Sequence, residues 1–183
     1  MANEAHARET FEKAFEGPYT ANLVQDGVIA ESLAQADSFW HIRETIPLSK
    51  RAYGTAINND ISVPFSRIPD FLESCDAAIR AHLPSAEFVA FGHVGDGNLH
   101  YSVCEAKDAA TPILKDHEAA ITQIIYNQTM AHDGSISAEH GVGRLKRDEL
   151  VKLRDPAATA TMRAIKAALD PQNIMNPGRV IAI

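Results

Sequence analysis

The chain has 183 residues, with 17 Lys plus Arg against 24 Asp plus Glu, a formal net charge of −7 and a 45% hydrophobic fraction. At roughly 150 residues per domain this is one domain, long enough to bury a core without staples, and the acidic balance argues against nucleic acid or anionic membrane as the main partner. Two cysteines make no disulfide framework, no apolar run reaches the ~18 residues of a membrane span, and Met1–His6 has no basic or apolar leader, so a cytoplasmic protein is expected.

In chain order, residues 4–16 read as a surface helix stopped by Gly17-Pro18. Val28-Ile29-Ala30 is the best strand within 20–31. Leu33, Ala36, Phe39, Trp40, Arg43 and Ile46 recur at helical spacing until Pro47, with Phe39 and Trp40 expected in packing. A strand over 55–63 ends at Pro64, and Ser66 or Asp70 is expected to cap a helix through His82. Two extended runs, 87–94 and 98–104, flank Gly95-Asp96-Gly97. A helix over 111–132, a loop at 133–141 and a helical piece around 143–153 follow. Asp155-Pro156 opens a last helix to Leu169, with Asp as cap and Pro in its first turn. The mixture predicts an α+β fold, an antiparallel sheet with helices packed on one face.

The segment Phe91–His100 (FGHVGDGNLH) carries the first chemistry. Asp-Gly between apolar runs predicts a two-residue type I′ hairpin, because both central positions then take positive φ. With Asp96-Gly97 at the tip, His93 faces His100, Val94 faces Leu99, Phe91 faces Ser102 and Val89 faces Cys104. Opposed histidines with Cβ atoms ~5 Å apart can reach one metal, or simply stack at a sheet edge. The other face, with Phe88, Ala90, Val94, Leu99, Tyr101 and Val103, is a core face.

The second cluster is Ser135–Gly143 (SISAEHGVG). Glu139 completes a His-His-carboxylate set with positions open to a substrate oxygen, whereas His140 is expected to point elsewhere as a proton acceptor. Alternatively, Gly141 and Gly143 only shape a loop and Glu139 is an exposed cap. The sequence contains no HExxH, GxGxxG, EF-hand loop or GxSxG. Arg144, Lys146 and Arg147 read as a solvated helix face. His6, His41, His82, His117 and His132 have no evident partner.

Three strings in order, GHVGDGNLHYSV (92–103), SISAEHGVGRLKRDEL (135–150) and LDPQNIMNPGRVI (169–181), resemble the C-terminal half of the FAD-linked oxidases. That family includes D-lactate dehydrogenases, glycolate oxidase D-subunits and D-2-hydroxyglutarate dehydrogenases; weaker similarity reaches back through DISVPFSRIPDFL (60–72) and WHIRETIP (40–47). The resemblance implies that residues 1–183 form a single ferredoxin-like substrate-binding domain, with the N-terminal FAD-binding domain absent from this chain. It implies His93, His100 and Glu139 as ligands of a divalent metal, zinc by donor type with Mn or Fe as close alternatives. It further implies His140 as catalytic base, Arg43 as partner of the substrate carboxylate, and Asn176 near the flavin. Asn58 and Ser102 stand where many relatives carry Lys and Asn, and both these positions and Asn59 are expected to face substrate. The implied reaction oxidises a small 2-hydroxy acid, passing the Cα hydride to FAD held by a domain of the same or a partner chain. Two other function classes remain at this level: a flavin-free metal-dependent hydrolase and a non-catalytic interaction module.

Overall fold

The computed structural model describes residues 4–49, 54–106 and 113–182. The chain divides into two compact units, Met1–Thr45 and Ile46–Ile183.

In the first unit, helix α1 (Glu4–Thr20) runs on through Gly17-Pro18, where the sequence suggested a stop. Proline in the last turn loses a single helical hydrogen bond, and the amide of Ala21 still reaches the Gly17 carbonyl at 3.0 Å. Ion pairs Arg8–Glu12 and Glu9–Lys13 and a ladder of Phe11, Phe15 and Tyr19 repeat at four-residue spacing along α1. The expected strand at 28–30 does not form. Val28 and Ile29 lie in irregular, exposed chain, and their β preference has no neighbouring strand to pair with. Ser32 Oγ accepts the Gln35 amide at 3.3 Å and opens α2 (Leu33–Ser49), which again carries its proline, Pro47, in its last turn. Trp40 is 60% exposed and Phe39 41%, so neither is the packing residue that the helical spacing suggested.

The second unit is α+β. Strands β1 (Ala56–Ser62), β2 (Glu87–Phe91) and β3 (Asn98–Cys104) form an antiparallel sheet in the order β1-β3-β2. Helix α3 (Ile68–His82) connects β1 to β2 after a 3-10 turn at Phe65–Arg67. Neither Ser66 nor Asp70 caps it; Pro69 in the first turn starts it. A 3-10 turn, Leu114–His117, leads into α4 (Glu118–Ala131), so the regular helix is shorter than expected, and residues 111–112 of that expectation lie outside the described residues. Helices α5 (Arg147–Leu153) and α6 (Pro156–Leu169) complete the unit. Asp155 caps α6 as expected, its Oδ1 accepting the amides of Ala157 at 2.7 Å and Ala158 at 3.3 Å.

Alternation along the strands separates two faces. Ile57 and Ile61 of β1, Leu99, Tyr101 and Val103 of β3, and Phe88 of β2 join Phe71, Cys75 and Ile79 of α3 and Ile121 and Ile125 of α4 in one core. Tyr101 is fully buried there, edge-on to Phe71 at 5.7 Å, and its hydroxyl donates to Asp76 Oδ1 at 2.6 Å. After α4 the chain returns to the free edge of β1, where Ser62 and Ser135 exchange two backbone hydrogen bonds of 2.9 and 2.8 Å.

The hairpin register corrects the sequence expectation. Phe91, not His93, faces His100, and Val89 faces Ser102. The reason lies in the turn: Val94–Asp96 is a 3-10 turn, and Gly97, at φ +71°, is left-handed while Asp96 is not. A type I′ turn requires both. Gly97 is obligatory on a second count, because a Cβ there would run into the Val63 carbonyl oxygen. The shift is two residues, which preserves the predicted faces within β2 and β3, but Val94, expected on the core face, lies in the 3-10 turn and is 58% exposed.

A carboxylate-centred candidate metal site

The open face of the sheet carries Asn58, Asp60 and Ser62 from β1 beside Ser102, His100 and Asn98 from β3. The loop after α4 brings Glu139 and His140 over these strands. Asp60 Oδ2 accepts the backbone amides of Glu139 at 2.8 Å and His140 at 2.7 Å, and Oδ1 accepts Asn98 Nδ2 at 3.1 Å. The Asp60 side chain is 3% exposed. Desolvation works to raise its pKa, but the amides of His140 and Glu139, aided by the charges of His140 and Lys146, outweigh it and hold the carboxyl below its ordinary value. Lys146, expected to be solvated, instead donates to the carbonyls of Asp60 at 3.2 Å and Ile136 at 2.6 Å. Its burial lowers the ammonium pKa against the pull of Asp60.

Two histidines stand at this buried charge, and a third meets Glu139. His100 is held between two carboxylates, with Nδ1 3.6 Å from Asp60 Oδ1 and Nε2 3.6 Å from Glu139 Oε2. His93 Nδ1 lies 3.3 Å from Glu139 Oε1. Glu139 therefore stands between His93 and His100, as the sequence grouping required, although His93 arrives from the loop and not from the strand. His140 departs from expectation. It does not point elsewhere: its ring stacks on His100 at 5.6 Å, and its Nδ1 is 3.6 Å from Asp60 Oδ2. One ligating atom from each of Asp60, His100, Glu139 and His140 falls within 4.8 Å of the others. Adjacent residues converge because Ser137–His140 form neither helix nor strand, so the alternation that separates neighbours does not apply.

The donor set fits a divalent transition metal: imidazole nitrogens and a carboxylate converge, and the second nitrogen of His100 is directed at a buried carboxylate, as metal-bound histidines usually are. Asp60 already accepts three hydrogen bonds and suits orientation better than ligation. A cavity of about 280 Å³ opens beside the cluster, lined by Asn58, Asp60, Phe91, His100, Ser102 and His140 among others. Ser102 Oγ donates to Asn58 Oδ1 at 2.9 Å across it. Asn59, expected beside them, also borders this cavity, although it is 6% exposed and pairs across the sheet with the core residue Tyr101. A wider space of about 750 Å³ shares Asn58, Asp60 and His140 and extends along Gly143, Lys146 and Arg179.

Two further residues were expected at the site. Arg43 belongs to the first unit, its guanidinium 5.7 Å from the centre of the Trp40 ring. Asn176, exposed and left-handed at φ 49°, opens a turn whose Arg179 amide donates to its carbonyl. The same tail is tied to the site loop by the Val180 amide, 2.8 Å from the Gly143 carbonyl. Asp60 and Asn98 were not singled out from sequence, and Lys146 was read only as part of a solvated helix face. The alternation Asn58, Asp60, Ser62 was the available signal for the first.

A model of the C-terminal domain of FAD-linked oxidases matches residues 1–180. The chain belongs to this family. It is 39% identical over 182 residues to a D-2-hydroxyglutarate dehydrogenase of Stutzerimonas stutzeri (strain A1501), covering 98% of this chain and 39% of that protein. A Xanthomonas citri protein of the same name is 40% identical over 182 residues, and a mitochondrial one from Arabidopsis thaliana 35% over 183. The chain thus spans about two fifths or less of the length of these relatives. Among the described residues of this FAD-linked oxidase domain, no helix is long and apolar enough to cross a membrane.

Proposed function

We propose that this chain is the substrate- and metal-holding domain of a flavin-dependent dehydrogenase that converts a small 2-hydroxy acid to its 2-oxo acid. The observation that carries the reading is the convergence of His100, Glu139 and His140 around buried Asp60, with His93 on the far oxygen of Glu139, beside a cavity of about 280 Å³. The relatives named as D-2-hydroxyglutarate dehydrogenases support the reaction class, and the family supports FAD.

In this reading His93, His100 and Glu139 hold a divalent metal, zinc by donor type. When bound, the metal supplies Lewis acidity to a substrate hydroxyl, and FAD, held by a domain outside these 183 residues, supplies the hydride acceptor. Asp60 fixes the loop and directs Nδ1 of both His100 and His140, leaving His140 Nε2 to take the hydroxyl proton. Arg43 pairs with the substrate carboxylate through its fork of donors. Asn58 and Ser102 line the space for the substrate side chain, and Asn176 faces the flavin. The β1-α3-β2-β3-α4 order with the Ser62–Ser135 rung supports a ferredoxin-like arrangement whose fourth strand is reduced to one residue pair. Two buried cysteines that form no disulfide suit a reducing compartment such as the cytoplasm.

Metal analysis tests the site. After incubation with Zn²⁺ and desalting, His93→Ala and Glu139→Ala are each expected to retain one equivalent less than the unmodified chain, with unchanged circular dichroism. Equal metal content in all three overturns the ligand set.

A further inference from the structure

His82 ends α3 and His117 immediately precedes α4. Their rings meet nearly edge to face, with centroids 5.0 Å apart at 77°, and His117 Nδ1 lies 3.0 Å from His82 Nε2. Neither had an evident partner in the sequence, because 35 residues separate them. Two structural contacts bring them together. Helix α3 starts beside the hairpin turn and runs back to Leu83, whose carbonyl accepts the Ala86 amide just before β2. Glu105, directly after β3, accepts the amides of Ile113 and Leu114 and places the Leu114–His117 turn at the same end. The pair therefore belongs to the helical side of the sheet and to the end where Glu87 faces Cys104. The Asp60 cluster occupies the opposite face and the opposite end.

Two neutral imidazoles at 3.0 Å share one hydrogen bond. The same spacing suits chelation: with metal–nitrogen bonds of about 2.0–2.1 Å, two nitrogens stand about 2.9 Å apart at a right angle and about 3.3 Å apart at the tetrahedral angle. We propose that His82 and His117 form a second, surface metal site, a two-imidazole clip across the ends of α3 and α4. Its ligand is a borderline transition-metal dication, Cu²⁺ before Ni²⁺ or Zn²⁺, with water completing the coordination. Mg²⁺ and Ca²⁺, which require oxygen donors, are excluded by the same chemistry. A bound ion joins segments distant in sequence and stabilises the folded chain by linkage.

The test uses the full chain titrated with CuCl₂, followed by calorimetry, electron paramagnetic resonance and thermal unfolding. His82→Gln and His117→Gln should each remove the same single equivalent, its two-nitrogen resonance signature and the rise in Tm that it produces. His93→Ala should leave all three in place, so this site and the one at Glu139 stand or fall separately. Both substituted side chains are at the surface, and circular dichroism confirms that the variants fold. Retention of the signature in either variant, loss in only one of them, or an equal response to Mg²⁺ overturns the proposal.

Discussion

Strand β1 places two neighbouring polar residues in opposite surroundings. Asn59 faces the helices, and its Nδ2 finds no hydrogen-bond partner among the described residues. Asp60 faces the site loop, equally buried, yet its carboxylate accepts three hydrogen bonds. Burial is the same and satisfaction is opposite. The comparison teaches that this sheet tolerates a buried charge where a loop surrounds it with donors, and leaves a neutral amide unsatisfied on its packed face. A buried polar group is costly in the second case and organising in the first.

The packed face should yield the largest effect. Ile61→Ala, at a fully buried core position, is expected to cost about 3 kcal/mol in denaturant unfolding while metal content per folded chain is unchanged. Metal loss from the folded fraction would show that the two faces are not separable. On the open face, His140→Ala in the complete flavin-containing enzyme should slow single-turnover flavin reduction by about 100-fold or more, with metal retained. A wild-type rate would remove the base assignment.

Asp60→Asn sharpens the contrast with its neighbour. The variant keeps the shape but not the charge, and should cost about 2 kcal/mol at neutral pH in the metal-free chain. Because the folded-state pKa of Asp60 is depressed, its contribution is complete above the ordinary value of 3.8 and is lost as pH falls through the folded-state value. The difference between wild type and Asp60→Asn should therefore shrink as pH falls below about 3.8. A difference that grows on acidification would contradict the depressed pKa. The smallest effect has the opposite sign. Asn59→Leu replaces an unsatisfied amide by an apolar side chain and should stabilise the chain by about 1 kcal/mol; destabilisation would mean that Asn59 has a partner the packing does not reveal.

Much of this was legible from residue order, for local reasons. The faces of β2 and β3 followed from alternation, and the cap of α6 from Asp155-Pro156. The hairpin register did not follow, because Asp-Gly permits more than one turn and the backbone around Val63 selects the one with only Gly97 left-handed. His93 and His100 both lie beside Glu139 even so, since a two-residue slip preserves the face and Glu139 is long enough to meet a histidine in the loop. Asp60 escaped notice because its importance depends on partners 38 to 80 positions away, Asn98, Glu139 and His140. Nothing local to Asn58-Asn59-Asp60 reports that pairing. The expected strand at 28–30 failed for the converse reason: its local preference had no tertiary partner.

The Ser62–Ser135 rung and the Lys146 ammonium have a joint consequence for how the molecule behaves among its own copies. Even-numbered residues of β1 direct their backbone groups away from β3, so the Asp60 and Ser62 carbonyls mark an edge at which a foreign strand could dock. Ser135 occupies one position and Lys146 the next, with a charge that cannot be stripped of its partners cheaply. The loop that gathers the histidines is thus also a plug against edge-to-edge aggregation, and a substitution that loosens it exposes a template for fibrous association along with an emptied site.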